Sequence, residues 1–203
     1  MKGPNTLVLG TRNPGKVAEF RALLADCGWQ IADLSDFHNL HEVEEEGSTL
    51  AENARAKAAG FSSQIGQWVL ADDTGLMVDA LDGAPGARTA RFAGPGATAK
   101  DNRERLLAEL GTLPAEKRTA SFVCHLALAD PAGRILAEAD GKCRGRIRFE
   151  PVGDRGFGYD CLFEIAEYHR TLAELGETAT VCLSHRARAV RSLQPTLLRL
   201  AEK

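Results

Sequence analysis

Two acidic clusters in the sequence have the chemistry of a magnesium site. A run of three glutamates at 44–46 precedes a predicted helix, and Asp72 and Asp73 follow an apolar run at 68–71. Mg²⁺ prefers carboxylate oxygens, and acidic groups at two strand ends can meet over one edge of a sheet. Adjacent carboxylates repel each other unless a cation lies between them or one caps the following turn. We therefore predict a divalent cation at the aspartate pair, and a solvated surface is the alternative for the glutamates.

The turn at residues 11–16 could hold a phosphate group. It lies between an apolar run at 6–10, which predicts a buried strand, and a predicted helix. Free backbone N–H groups and the dipole at a helix N-terminus favour an anion, and Lys16 adds a positive charge. The segment is not a P-loop, which requires the pattern GxxxxGK[ST]. An ordinary turn with a solvated lysine is the alternative.

Residues 157–160 place two aromatic rings and a carboxylate around a glycine. Aromatic faces stack on nucleobases, and an aspartate can accept hydrogen bonds from base N–H groups. Rings that anchor a loop to the core are the alternative. His185 and Arg186 lie just before the last predicted helix and could donate hydrogen bonds to carbonyl oxygens, although a histidine at a helix start can also serve only as a cap.

The elements that must position these residues alternate between strands and helices. The predicted strands span residues 6–10, 68–71, 76–81, 118–129 and 134–140. The predicted helices span 17–27 with a stop at Gly28, 50–65 after a capping box at Thr49, 98–110 with a capping pair at Thr98 and Asp101, and 186–202 with a bend or restart at Pro195. Because the last two strands form a hairpin, we expect an α/β fold with a mixed sheet.

Composition excludes several classes of protein. The chain has 203 residues, 25 Lys+Arg against 28 Asp+Glu, a net charge of −3 and 44% hydrophobic residues. This suits one domain or two lobes that share a core, and it disfavours both disorder and a general nucleic-acid binder. No apolar run approaches the ~20 residues that span a bilayer. The run at 7–9 is too short for a signal-peptide core, and five scattered cysteines without CxxC spacing predict reduced thiols in the cytoplasm.

From about Leu7 to Leu200 the chain resembles the inosine triphosphate pyrophosphatase family. Seven segments carry the resemblance, in order and at workable spacings, and each alone is a weak signal. They are residues 11–16, 44–47, 52–57, 71–76, 83–94, 156–160 and 184–186.

The resemblance implies a role for each segment. The triphosphate would be bound by Thr11, Arg12, Asn13, Pro14, Gly15, Lys16, Lys57 and Thr74. Mg²⁺, for which Mn²⁺ could substitute, would be held by Glu44 or Glu45 and by Asp73, with Asp72 as a further ligand. Asp73 would also be the catalytic base that deprotonates the attacking water. The purine would be bound by Phe157, Gly158, Tyr159, Asp160, His185 and Arg186.

The family likeness also implies a fold and a reaction. The fold would be a single domain over residues 1–203, an elongated mixed β-sheet flanked by helices, in two lobes with the site in the cleft between them, and the chain would form a homodimer. Water would attack the α-phosphorus of ITP, dITP or XTP and release the monophosphate and pyrophosphate. The partners would be small purine nucleotides, with no nucleic acid and no membrane.

Departures from the family pattern keep two other functions open. Thr180 stands five residues before His185, where the family has a lysine, Arg12 replaces a common glycine, and Cys161 replaces a frequent proline. One alternative is a pyrophosphatase for other modified nucleotides, such as pyrimidines. The other is a nucleotide sensor without turnover, which the missing lysine at Thr180 suggests.

Overall fold

The structure is a computed structural model that describes residues 5–202, apart from the side chains of residues 177–179. The chain forms two compact units. The first unit contains the chain up to Asp73, the segment Cys124–Gly141 and the chain from Arg186 onward. The second unit contains Thr74–Val123 and Lys142–His185.

The described residues form a mixed sheet and a set of helices. The strands are β1 (Thr6–Leu9), β2 (Gln30–Asp33), β3 (Trp68–Val78), β4 (Pro85–Gly86), β5 (Thr119–Ala129), β6 (Ile135–Ile147), β7 (Phe163–Ile165) and β8 (Arg170–Thr171). The helices are α1 (Pro14–Leu23), α2 (Leu50–Ile65), α3 (Ala99–Leu110), α4 (Leu172–Leu183) and α5 (His185–Ala201). Hydrogen bonds order the strands β2-β1-β3-β5-β6-β7-β8, and β4 pairs with β3.

Both parallel and antiparallel pairs occur in this sheet. β1 runs parallel to β2 and to β3, whereas β7 runs antiparallel to β6 and to β8. The predicted α/β class with a mixed sheet is therefore confirmed. In the part of the chain from residue 5 to residue 202, no helix is both long enough and apolar enough to cross a bilayer.

The aspartate pair lies inside a strand, and the prediction of separate strands at 68–71 and 76–81 is wrong. β3 runs without interruption from Trp68 to Val78. Successive side chains on a strand point to opposite faces, so Asp72 and Asp73 face different helices. An acidic pair does not interrupt a strand when each carboxylate has cationic partners on its own face.

Other elements differ from the prediction at their ends. α1 ends at Leu23 rather than near Gly28, because the chain leaves the helix through a tight turn in which the Cys27 N–H donates to the Leu24 carbonyl. Leu24 and Cys27 stay buried nonetheless. α5 continues through Pro195 as one helix. The prediction missed β2, β4, β7, β8 and α4. The four strands have only two to four residues each, and Gly176 interrupts α4 with φ 73°.

Capping boxes define where three helices begin. The Thr49 hydroxyl accepts from the Glu52 N–H while the Glu52 carboxylate accepts from the Thr49 N–H, as predicted, and Thr98 does the same with Asp101. An unpredicted box at Thr171 starts α4. Because these caps are local, their sequence spacing is enough to predict them.

In the first unit, successive side chains of β1 point to opposite faces of the sheet and pack in two different apolar clusters. Leu7 and Leu9 pack among residues of α1 and α5, whereas Val8 packs on the opposite face with Phe61 of α2. A second cluster between α2 and the sheet consists of alanines: Ala54, Ala58, Ala71, Ala127 and Ala129. Such small side chains let the α2 backbone approach β3 closely, which brings the polar residues of α2 within reach of Asp73.

The second unit has a separate core. Its apolar cluster includes Leu76 and Val78 from β3, Phe122 from β5 and Phe163 from β7, and the Phe122 and Phe163 rings lie 4.6 Å apart between centroids. The buried Tyr159 belongs to the same cluster. The loop at 157–160 is therefore attached to this core.

Candidate active site

The turn between β1 and α1 is capped by its own asparagine. The Asn13 Oδ1 accepts hydrogen bonds from the N–H groups of Gly15 at 2.9 Å and Lys16 at 3.2 Å, and Pro14 occupies the first turn. The Asn13 N–H donates to the Thr11 hydroxyl at 3.3 Å. The prediction that these backbone groups are free for a phosphate is thus wrong for Gly15 and Lys16, because the cap already satisfies them.

Arg12 of the same turn points to a surface glutamate. Its Nε lies 2.9 Å from Glu42 Oε1, and both side chains are largely exposed. An exposed ion pair of this kind contributes little to stability. The cationic group of this turn that lies next to β3 is therefore Lys16.

On one face of β3, Asp72 receives two cations. The Lys16 Nζ lies 2.9 Å from Asp72 Oδ2 and the Arg186 Nε lies 3.5 Å from the same oxygen. Arg186 also donates from Nη1 to Glu19 Oε2 at 2.8 Å. Burial opposes ionisation of Asp72, but the charges of Lys16, Arg186 and Lys57 outweigh it and lower the pKa of its carboxyl. Asp72 is thus a buried anion that fixes two cations.

On the other face, Asp73 is held by two residues of α2. The Asn53 Nδ2 donates to Asp73 Oδ2 at 3.0 Å, and the Lys57 Nζ lies 3.6 Å from Asp73 Oδ1. Here burial dominates and raises the pKa of Asp73, although Lys57 and the Asn53 hydrogen bond favour the ionised form. The pKa values of the neighbouring Asp72 and Asp73 carboxyls are therefore shifted in opposite directions.

Lys57 places one positive charge between two carboxylates. Its Nζ lies 3.2 Å from Glu45 Oε1 as well as 3.6 Å from Asp73 Oδ1. Burial lowers the pKa of Lys57, but the charges of Asp72, Asp73 and Glu45 more than compensate, so its pKa is raised. Glu45 and Asp73 already share a cation in this structure.

This donor set fits a hard divalent ion. Two carboxylates that face one positive charge are the oxygen ligands that Mg²⁺ uses alongside water and phosphate. Glu44 is exposed, and Asp72 faces the opposite side of β3 because strand residues alternate. Within residues 5–202 no three acidic, histidine or cysteine side chains converge closely enough to hold a metal by themselves. The pair Glu45 and Asp73 is thus the part of the predicted set that the structure brings together.

In the second unit, the loop at 157–160 folds around its own aspartate. Asp160 Oδ2 accepts from the Phe157 N–H at 2.9 Å, and a Cβ added to Gly156 would lie 2.3 Å from that oxygen, so a side chain there would collide with it. The carbonyl of Gly158 accepts from Arg103 Nη1 of α3 at 2.7 Å. Arg103, which the sequence analysis missed, therefore helps to hold this loop.

Tyr159 anchors the loop rather than offering an open ring. Its side chain is buried, and its hydroxyl donates to the Thr89 carbonyl at 3.1 Å. Burial raises the pKa of this phenol. Phe157 is half-buried and Thr74 is half-buried in β3. Of the two predicted aromatic residues, Phe157 is the more accessible.

His185 begins α5 as a buried ring. It stacks on Phe122 with 4.8 Å between ring centroids and 18° between planes. Stacking fixes the plane of the imidazole, so its two nitrogens have a defined direction. Phe122 was not predicted to take part, since nothing in its local sequence distinguishes it from a core residue.

Close to Thr180 in sequence, Gly176 lies beside the guanidinium of Arg155. The Thr180 hydroxyl donates to the Gly176 carbonyl at 3.0 Å. Gly176 interrupts α4 with φ 73°, and a Cβ added there would lie 2.6 Å from Nη1 of Arg155. The Arg155 guanidinium therefore packs against α4 one turn before Thr180.

Comparison with known proteins gives a consistent result. The model of the Ham1 family matches residues 7–196. A protein of Rhodopirellula baltica named dITP/XTP pyrophosphatase is 47% identical over 196 residues, which cover 97% of this chain and 94% of that protein. One of the same name from Exiguobacterium sibiricum is 45% identical over 191 residues, 94% of this chain and 96% of its own length.

Solved structures agree with the sequence comparisons. The structure of a HAM1 protein from Coxiella burnetii has a TM-score of 0.85 and 36% identity, and the match covers 96% of this chain and 99% of that one. The Staphylococcus aureus Ham1 protein has a TM-score of 0.83 and 34% identity, with 98% and 100% of the two chains covered.

Proposed function

The chain belongs to the Ham1 family, and from that premise we propose that it hydrolyses deaminated purine nucleoside triphosphates, ITP, dITP and XTP, to the monophosphate and pyrophosphate. Its relatives at 45–47% identity bear the name dITP/XTP pyrophosphatase. The observation that carries the proposal is the Asp73 carboxylate, which Asn53 and Lys57 hold beside Glu45. This arrangement has the acceptor and the charges that water attack on a phosphate requires.

Asp73 would accept the proton of the attacking water. Its pKa is raised, which makes the ionised form a stronger base than an ordinary aspartate. Asn53 occupies Oδ2 of Asp73, so Oδ1 is the oxygen on the side of Lys57 and Glu45. Base catalysis of this kind contributes about 10²–10⁴-fold to a rate.

Positive charge for the triphosphate would come from Lys16 and Lys57. Both ammonium groups are paired with buried or half-buried carboxylates, which orients them before substrate arrives. Preorganised charge stabilises a transition state without the cost of reordering solvent. Thr11, Asn13 and Thr74 would contribute hydroxyl and amide groups to the phosphates, as the resemblance implies.

We assign Mg²⁺, or Mn²⁺ in its place, to Glu45 and Asp73. When bound, the ion would neutralise phosphate oxygens and lower the pKa of a water molecule. Glu44 and Asp72 are the weaker candidates, because Glu44 is exposed and Asp72 is bound to Lys16 and Arg186.

The choice of base would depend on hydrogen-bond donors. His185, held in plane by Phe122, and Arg186 would donate to the O6 atom of hypoxanthine or xanthine, with Phe157 and Asp160 as further contacts of the purine. Adenine carries an amino group there and would leave both donors unsatisfied. A site built for one hydrogen-bonding group can reject its analogue by ~10⁴–10⁵.

The test is a substrate panel with product analysis in H₂¹⁸O. We expect ITP, XTP and dITP to be turned over far faster than ATP, dUTP and methylated pyrimidine triphosphates. The heavy oxygen should enter the monophosphate, because water attacks the α-phosphorus. A preference for pyrimidines, or ¹⁸O found in pyrophosphate or inorganic phosphate, would contradict the proposal.

A nucleotide sensor without turnover is the second candidate, and Thr180 is the observation that favours it. Against the sensor, the guanidinium of Arg155 lies beside Gly176, one turn before Thr180, and we propose that it replaces the lysine that the family has at this position. Tight binding of ITP in Mg²⁺ without pyrophosphate release would establish the sensor.

We also propose a homodimer that acts in the cytoplasm. The resemblance implies the dimer, and nucleoside triphosphate pools supply the substrate in that compartment. Light scattering after size-exclusion chromatography gives the mass directly: twice 21.8 kDa is expected, and the mass of a single chain would contradict the dimer.

A further inference from the structure

We infer that Asn53 is a positioning residue that fixes Glu45 and Asp73 relative to each other, an inference that rests on the proposed function. Asn53 is buried in the first turn of α2 and connects two segments that are distant in sequence. One is the loop that carries Glu45, and the other is β3, which carries Asp73.

The hydrogen bonds of Asn53 admit only one orientation of its amide. The Gly47 N–H donates to Asn53 Oδ1 at 2.8 Å, while Asn53 Nδ2 donates to Asp73 Oδ2 at 3.0 Å. A backbone N–H can only donate and a carboxylate can only accept, so exchange of the amide O and N would break both bonds. The side chain therefore links this donor and this acceptor specifically.

The loop side of this link depends on a glycine. A Cβ added to Gly47 would lie 2.6 Å from Asn53 Oδ1 and 2.7 Å from Glu52 Cβ, both too close for a real side chain. The next two residues, Ser48 and Thr49, donate their N–H groups to Glu52 Oε2. The segment that follows Glu45 is thus fastened to α2 at three consecutive backbone groups.

The strand side of the link sets the rotation of a carboxylate. The terminal torsion of an aspartate is broad, so an unsupported carboxylate rotates readily. Asn53 holds Oδ2, which leaves Oδ1 on the side of Lys57, and Lys57 lies one helical turn after Asn53 on the same face of α2. Asn53 therefore orients the Asp73 carboxylate so that Oδ1 faces Lys57, which also contacts Glu45.

Two substitutions separate the two bonds of Asn53. Asn53→Asp keeps an acceptor for the Gly47 N–H but loses the donor to Asp73, and Asn53→Leu loses both without adding charge. Asn102 is the matched control: it is buried in α3, accepts from the Ala93 N–H at 2.7 Å and donates to the Ala90 carbonyl at 3.0 Å. Asn102→Asp and Asn102→Leu disturb a comparable link that does not involve Asp73.

The first readout is hydrogen exchange at the Gly47 amide in the full-length protein without nucleotide. We expect exchange to accelerate about tenfold in Asn53→Leu, as for loss of one buried hydrogen bond, and to stay near the wild-type rate in Asn53→Asp. The Asn102 variants should leave it unchanged. An unchanged Gly47 rate in a folded Asn53→Leu protein would overturn the loop half of the inference.

The second readout is a split between kcat and KM for ITP. Both Asn53 variants should lose about 10–100-fold in kcat with a smaller change in KM, as is typical when a residue behind a ligand is removed. The Asn102 variants, matched for loss of stability, should keep kcat. A folded Asn53→Asp protein with wild-type kcat would overturn the strand half.

A third measurement distinguishes failure of this inference from failure of the proposed function. Calorimetric titration of Mn²⁺ into the protein without nucleotide should show binding weakened about 10–100-fold in Asn53→Leu and unchanged in Asn102→Leu. If the wild type releases no pyrophosphate from ITP, the proposed function fails, and Gly47 exchange with Mn²⁺ binding still decides the role of Asn53. Gly47→Ala, which pushes against Asn53 from the loop, supplies the same test should the Asn53 variants not fold.

Discussion

Asp72 and Asp73 are neighbours in sequence with the same side chain, yet they face different surroundings on the two sides of β3 and their pKa values shift in opposite directions. Asp72 faces Lys16 and Arg186, whose charges lower its pKa despite burial. Asp73 faces Asn53 and Lys57, where burial prevails and its pKa is raised. The ionised form of Asp72 thus stabilises the folded protein, whereas ionisation of Asp73 lowers the free energy of unfolding.

The two pKa shifts favour Asp73 over Asp72 as the proposed base. A group that is stabilised as an anion by two cations is a weak base, whereas one that is ionised against its surroundings accepts a proton more readily. The two carboxyls therefore contribute to the free energy of unfolding with opposite dependence on pH. The contribution of Asp72 is present above its ordinary pKa and is lost as pH falls through the lowered value, while that of Asp73 is present at low pH and is lost as pH rises through the raised value.

Asp73→Asn removes the carboxylate whose pKa is raised and should have the largest effect on activity. We expect kcat for ITP to fall about 10²–10⁴-fold, because the proposed base is lost. The free energy of unfolding at pH 7 should rise slightly, since an uncharged side chain replaces a carboxylate that burial disfavours. Denaturant unfolding measured beside the kinetics checks both, and lost stability or near-normal turnover would refute the assignment.

Asp72→Asn makes the same substitution one residue earlier and should act on stability. Removal of one partner from a buried ion pair costs about 3–5 kcal/mol, because Lys16 and Arg186 lose a shared counter-charge. The difference from the wild type should shrink as pH falls, because the native carboxyl then becomes protonated as well. Urea unfolding at several pH values measures this, and a pH-independent difference would contradict the proposed cause.

Lys16→Ala removes a cation that pairs with Asp72 and that we propose to bind phosphate. The KM for ITP should rise about ten- to a hundredfold through loss of a charged hydrogen bond to phosphate. Asp72 keeps Arg186 as a partner, so the fold should persist. Lys100→Ala, which removes an exposed lysine paired with Glu104, is the control, and equal KM values for the two variants would exclude the phosphate role.

Glu45→Gln and Glu44→Gln test the acidic loop, with the smallest expected effect. The Mg²⁺ concentration for half-maximal turnover should rise about tenfold for Glu45→Gln, which corresponds to roughly 1.4 kcal/mol. It should not change for Glu44→Gln, because Glu44 is exposed and Glu45 shares Lys57 with Asp73. The reverse order would move the proposed ion to Glu44.

Local signals in the sequence predicted much of the fold, whereas the roles of the site residues came from the family resemblance and stay predictions. The capping boxes at Thr49 and Thr98, the hairpin at 118–140 and the turn before Lys16 each depend on a few adjacent residues. The continuity of β3 was not predictable in this way, because acidic residues in a strand require partners from α1, α2 and α5. Asn53 lies in a segment that carries the family resemblance, but no role was predicted for it, because its hydrogen bonds depend on Gly47 and Asp73 together.

Which groups are present and where each capped helix starts could be read without the fold, since these follow from side-chain chemistry at short range. Which cation meets which carboxylate depends on long-range packing. That pairing follows from the alternation of side chains along β3, combined with α1 and α5 on one face and the alanine-rich α2 on the other. The pKa of Asp72 is consequently lowered and that of Asp73 raised, because the nearby positive charges prevail on one face and desolvation prevails on the other.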